Sequence, residues 1–200
     1  MLYSLVLSLL LLTSPVDNTT GLAVGDIAAD FNLKSVDGKM ISLQTIKDAK
    51  GYILIFTCNT CPYSVMYEDR IIELHKKYAS KGYPVVAIQP NDEQRSPGDS
   101  FDSMKKRAKN KKFPFPYLLD KTQETTRTYG ATNTPHVYVL NKQDNNQFRI
   151  EYIGAIDNNS RRAADADKHY VEDVVEGLIK GTAPKVTKTK AIGCTIKWAS

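Results

Sequence analysis

At 200 residues, 42% of them hydrophobic and 24% charged, the chain has the material for one domain with a substantial core; a disordered, repetitive or fibrous polymer is excluded. The net charge of +5 is spread along the chain, and its densest group, Lys105-Lys106-Arg107 with Lys109-Asn110-Lys111-Lys112, reads as the solvated face of a helix with no accompanying nucleic-acid motif. Three cysteines and three scattered histidines, His75, His136 and His169, offer no second ligand pair for structural zinc, so neither a metal nor another cofactor is expected.

Residues 1–12 carry no charge and are mostly Leu, Val, Tyr and Ser, too short to span a bilayer and matched in length to the apolar core of a secretory signal. Residues 1–23 are therefore predicted to be a signal peptide or an N-terminal membrane anchor with its linker, and the protein to be periplasmic or secreted. The folded domain is expected over 24–180, followed by a tail over 181–200. It opens with a hairpin, Asp30-Phe31-Asn32-Leu33-Lys34 and Met40-Ile41-Ser42-Leu43, turning at Asp37-Gly38.

Tyr52 to Phe56 has the length and the β-branched or aromatic character of a buried strand. A helix follows from Pro62 to Lys81-Gly82, with Val65, Ile72, Leu74 and Tyr78 as its inward positions. Val85-Val86-Ala87-Ile88 predicts a second strand, parallel to the first because a helix joins them. Pro97-Gly98-Asp99-Ser100 introduces a helix to Lys111 with Phe101, Met104 and Ala108 inward; a strand-like run ends at Leu119, and Asp120 is expected to cap a helix ending near Tyr129-Gly130. A hairpin of 137–140 with 148–153 and a last helix over 165–180 complete an α/β fold: a central mixed sheet flanked by helices.

Chemistry concentrates where the first buried strand ends. Cys58-Asn59-Thr60-Cys61 lies directly after it, and Pro62 marks the first turn of the next helix, because the N–H that proline lacks would be unpaired there anyway. Unpaired N–H groups and the positive end of the helix dipole favour a thiolate over a thiol. Cys58 is expected to be the accessible nucleophile and Cys61 the resolving thiol, partly covered by the helix. Further on, Thr134-Pro135 precedes an apolar strand, and a cis proline packed against a Cys-x-x-Cys turn is a signature of thioredoxin-like folds. Both cysteines should then sit at the carboxyl edge of the sheet.

On these residues the chain resembles the thioredoxin superfamily from about Val24 to Lys180. The N-terminal hairpin lies outside the minimal thioredoxin pattern and resembles the redoxin group, which includes peroxiredoxins and membrane-tethered thiol reductases. With Phe-Thr-Cys-Asn-Thr-Cys-Pro, Phe-Pro-Phe-Pro-Tyr-Leu, Thr-Pro-His and the tail Gly-Cys-Thr-Ile-Lys-Trp, it resembles the AhpC/TSA-like, peroxiredoxin-like redoxins that carry a Cys-x-x-Cys motif. The resemblance implies a thiol:disulfide oxidoreductase: Cys58 and Cys61 exchange with protein or small-molecule disulfides, an upstream thiol restores them, and Thr134, Pro135 and His136 bind substrate. His136 is read either as an imidazolium steadying the thiolate or as a half-exposed strand residue. Cys194 is read either as a third redox thiol exchanging with Cys58 or as a small hydrophobe in a docked tail. The buried acid that many thioredoxins carry six residues before the first cysteine is replaced here by Tyr52.

Two alternatives stand beside this. A thiol peroxidase fits the redoxin hairpin, but the Pro-x-x-x-Thr/Ser-x-x-Cys frame falls on Leu54 and Cys58 before Cys61, or on Gly51 and Ile55 before Cys58. A copper chaperone of the same fold would use thiolates with a distal histidine, but its cysteines are three residues apart where these are two, and here the histidine adjoins the proline.

Overall fold

The computed structural model describes residues 21–200, so the predicted signal or anchor falls, but for its last three positions, outside the described residues. No helix among the described residues is long and apolar enough to cross a membrane. The expected hairpin forms as β1 (Leu33–Ser35) and β2 (Met40–Ile41), antiparallel, with Leu33 opposite Ile41. Then come β3 (Gly51–Phe56), α1 (Pro62–Tyr78), β4 (Val85–Gln89), α2 (Phe101–Lys111), β5 (Tyr117–Leu119), α3 (Glu124–Tyr129), β6 (Asn133–Thr134), β7 (His136–Lys142), β8 (Phe148–Gly154), α4 (Tyr170–Ile179) and β9 (Cys194–Thr195).

Seven strands form one mixed sheet in the order β2-β1-β5-β4-β3-β7-β8, with β3, β4 and β5 parallel and β1, β7 and β8 antiparallel to their neighbours. Alternation along β3 divides the core. Ile53 and Ile55 face α1, α2 and α4, where Tyr67, Ile71, Met104 and Val174 pack, while Tyr52, Leu54 and Phe56 face Phe31, Leu43, Tyr129 and the tail residue Ile196. A strand buried on both faces in this way is the thioredoxin-like arrangement that the sequence predicts, and it sets the carboxyl end of β3 at the site.

Three expectations shift. The buried stripe of α1 runs through Ser64, Tyr67, Ile71, Leu74 and Tyr78, leaving Val65, about 100° round the helix from Ser64, exposed. Asp120 takes the N–H and hydroxyl of Thr126, at 2.7 and 2.6 Å, but the N-cap position belongs to Gln123 in a left-handed conformation. The last helix begins at Tyr170, preceded by a short 3₁₀ turn over Ala163–Asp165.

Residues past α4 return across the molecule. Thr187 and Thr189 exchange backbone hydrogen bonds with Ile153 of β8, and β9 pairs with β6 in a second, two-stranded sheet.

Candidate active site

The backbone leaves the sheet after Phe56, with one last bond from the Thr57 N–H to the Ile88 carbonyl, and re-forms as α1 at Pro62. The four residues between are held by a buried carboxylate. Asp99 accepts five hydrogen bonds: from the N–H groups of Asn59 (2.7 Å) and Thr60 (3.1 Å), the hydroxyls of Thr60 (2.8 Å) and Ser96 (2.6 Å), and the Asn91 amide (2.8 Å). Asn59 adds bonds to the Gly98 carbonyl (2.9 Å) and from the Tyr117 hydroxyl (3.1 Å). Nothing in the sequence around Asp99 singles it out, since Pro97-Gly98-Asp99 has the look of a helix introduction alone. The residue types that surround it, Gln89 and Asn91 at the end of an apolar strand, were the available signal.

Both cysteines converge on Thr134, and the Thr134–Pro135 peptide is cis. Cys58 Sγ lies 3.2 Å from Thr134 Oγ1, and Cys61 Sγ lies 3.0 Å from the Thr134 carbonyl oxygen. The tail completes the site, because the Cys194 N–H donates to Cys61 Sγ at 3.3 Å while Cys194 stands opposite Thr134 in the strand pair. All three cysteines are free thiols.

The electrostatics differ from the expectation. Cys58 and Cys61 are each only 3% exposed, so Cys58 is not the open thiol that the motif predicts. Donation to Cys61 pushes the Cys58 thiol far above its ordinary range, with burial adding to the effect, whereas Cys61 is drawn down to about 4, first by that same hydrogen bond and then by Cys194 and the Ser64 N–H in the first turn of α1. The Cys194 thiol is raised to about 11 by burial and by the neighbouring Cys61.

His136 is also displaced from both readings offered for it. It is buried on β7, its Nδ1 accepts the Thr132 N–H at 3.4 Å, and its ring tilts against Tyr138. Burial, reinforced by Lys188, lowers it to about 4, so near neutral pH it is an uncharged core residue and supplies no imidazolium. Glu68 is buried on α1, held bidentately by Arg107 at 2.6 and 2.8 Å, and shares a small cavity with Cys58, Phe113, Phe115 and Tyr117; Asp69 points out toward Lys111. Among the described residues no group of three or more His, Cys, Asp and Glu side chains is arranged to hold a metal ion.

A thioredoxin-like sheet with two thiols on the turn after its central strand defines a redox protein class. The AhpC/TSA family model matches residues 24–149, and the chain belongs to that family. It is 28% identical to the thiol-disulfide oxidoreductase ResA of Bacillus thuringiensis subsp. konkukian over 122 residues, 60% of this chain and 64% of that protein. It is 26% identical to the chloroplastic peroxiredoxin Q of Triticum aestivum over 144 residues, 65% of this chain and 63% of that one. The chain thus spans a little under two thirds of the length of either relative. Among solved structures, an uncharacterized conserved protein of Geobacillus kaustophilus superimposes with a TM-score of 0.81 at 31% identity, covering 88% of this chain and 93% of the other.

Proposed function

We propose that the protein is a thiol:disulfide oxidoreductase that works by exchange at Cys58 and Cys61. The observation that supports this best is the convergence of both sulfurs on Thr134, 3.2 and 3.0 Å away, at the first turn of a helix. Cys58 thiolate attacks one sulfur of a substrate disulfide, and the other sulfur leaves as a thiolate and takes up a proton. Cys61 then attacks the Cys58 sulfur of the mixed disulfide, releasing the second substrate thiol and closing the Cys58–Cys61 bond. Two electrons pass from the dithiol to the substrate, which is a protein or small-molecule disulfide, and an upstream thiol returns them. The extracytoplasmic setting belongs to the same reading and draws on the apolar stretch at 1–12.

Both thiols are buried and the tail lies on Cys61, so the tail lifts before a substrate sulfur reaches Cys58. The Cys61 S–H points at the Thr134 carbonyl 3.0 Å away, and the Thr134 hydroxyl, 3.2 Å from Cys58 Sγ, is placed to hold the Cys58 thiolate. Reduction of insulin disulfides by a thiol is the test: Cys58→Ser and Cys61→Ser should each lower the rate by at least about a hundredfold, since no thiolate is left to attack or to resolve. A Cys58→Ser chain that keeps its rate refutes the reading.

One observation favours a second reading, a thiol peroxidase. The sulfur held below the ordinary thiol range is that of Cys61, which immediately precedes Pro62, and peroxiredoxin Q is among the relatives. Peroxide consumption that survives Cys58→Ser and vanishes in Cys61→Ser would select it.

A further inference from the structure

The strand that lies on Thr134 belongs to the chain itself. Asn133 pairs with Thr195 and Thr134 with Cys194, the Ile196 N–H reaches the Thr132 carbonyl at 3.2 Å, and Asn133 Nδ2 donates to the Gly193 carbonyl at 3.0 Å. The tail is fastened on both sides of this crossing. Upstream, Thr189 bonds Ile153 of β8 and Ala155 just past its end; downstream, the Lys197 N–H donates to Asn91 Oδ1 at 2.9 Å, Gln123 Nε2 donates to the Lys197 carbonyl at 2.9 Å, and Trp198 lies under Arg127. Asn91 is also a ligand of Asp99, so the tail and the Cys-x-x-Cys loop share one buried network. An extended segment bearing a cysteine, paired on Thr134 with its N–H aimed at Cys61 Sγ, has the arrangement of a bound substrate.

We propose that the C-terminal strand is a built-in substrate, whose Cys194 takes over the disulfide of the Cys58–Cys61 pair by attacking Cys61. The proposal deepens the oxidoreductase reading and rests on it. After a substrate disulfide has oxidised the pair, Cys194 loses its proton and attacks Cys61 Sγ. The Cys58–Cys61 bond breaks, a Cys61–Cys194 bond forms, and Cys58 leaves as a thiolate that takes up a proton. One disulfide is exchanged for another, the oxidation level is unchanged, and no further oxidant is consumed. Burial raises the Cys194 thiol first and Cys61 adds to it, and the Cys61 part is gone once that sulfur is in a disulfide. The oxidised protein is thereby closed by its own tail, and the external thiol reductant acts on Cys61–Cys194.

Trypsin separates the partners, since cleavage after Lys50, Arg70, Lys190 and Lys197 puts Cys58 and Cys61 on peptide 51–70 and Cys194 on peptide 191–197. The reduced full chain is oxidised briefly with diamide, the reagent is removed, and samples are acid-quenched, alkylated with N-ethylmaleimide, digested and weighed. The expected result is that linked 51–70 and 191–197 grow at the expense of internally bridged 51–70. The total disulfide should stay constant, with the label on Cys58. In Cys58→Ser, the same linked pair should be the main oxidation product of the monomer.

Linked peptides labelled on Cys61, or found only in disulfide-bonded dimers, overturn the proposal. So does a peptide 191–197 that stays alkylated in wild type and in Cys58→Ser while Cys194→Ser closes Cys58–Cys61 normally; that pattern leaves the oxidoreductase reading standing. If no variant forms any disulfide, the reading and the proposal fall together. Should Cys58→Ser not fold, the wild-type time course decides alone.

Discussion

Two segments bring cysteines to Thr134, and they are held in unlike ways. The Cys58–Cys61 loop is fixed by a fully buried carboxylate with five donors and by the Tyr117 hydroxyl, which donates to Asn59. The strand bearing Cys194 is held by backbone pairing over two residues and by side chains further along, with Ile192 just before it 47% exposed. Charge-assisted bonds in a buried site are strong and costly to leave unpaired, whereas a two-residue strand pair whose outer members, Cys194 and Thr195, are half-buried and exposed opens locally at less cost. The loop is the fixed half of the site and the tail the removable half.

The sharpest way to break that contrast is Asp99→Ala. It strands the N–H groups of Asn59 and Thr60 and the Asn91 amide, and should cost on the order of 3–5 kcal/mol, read as a lowered urea midpoint. Asp99→Asn keeps an acceptor and should cost less than half of that; equal losses would mean that the carboxylate does not organise the loop. Gly193→Val tests the other half. A Cβ at 193 would come within 2.6 Å of the Thr134 carbonyl carbon and 3.1 Å of the Pro135 nitrogen, backbone atoms that cannot turn aside. The tail strand should unseat while the unfolding free energy changes by less than about 1 kcal/mol, because the fold does not depend on a local opening. Alkylation of the Cys58–Cys61 pair should speed up at least about tenfold, since exposure governs thiolate access. An unchanged alkylation rate would show that the tail does not cover the pair.

A further test is the pH dependence of the reduced protein. Cys61 is lowered to about 4 in the fold, well below an unfolded thiol, so the unfolded chain binds more protons between these limits. Its stabilising contribution is complete only at and above the unfolded thiol pKa, near 9, and is lost as pH falls toward 4; the raised Cys58 acts oppositely, but only above the ordinary thiol range. The urea midpoint of wild type relative to Cys61→Ser should therefore rise between pH 5 and 8, and parallel curves would show that the fold does not lower Cys61. Gly193→Val should flatten this rise, because the Cys194 N–H is withdrawn from Cys61.

Local patterns made much of this molecule legible. The apolar run at 52–56, the cysteine pair against Pro62 and Thr134-Pro135 ahead of an apolar strand are short-range signals, and each led to the right element. The burial of Cys58 could not be read in that way, because part of what surrounds the pair comes from residues about 130 positions downstream, and a strand of two residues leaves no periodicity. Asp99 was hidden for a related reason: a carboxylate that caps another segment's N–H groups looks, in its own segment, like any helix-starting acid. His136 misled because adjacency to a functional proline says nothing about which side of β7 the ring faces; it faces the Tyr138 side of the core, where an imidazolium would be unsolvated.

The fastening of the tail on either side of Cys194 has one more consequence. A guest polypeptide seeking the Thr134 groove competes with a rival that never diffuses away, whose local concentration is set by a short tether and can reach the millimolar range. Affinities measured on the intact chain will understate what the groove offers, and discrimination among guests will favour those that can also evict the resident, by contacts outside the two paired residues.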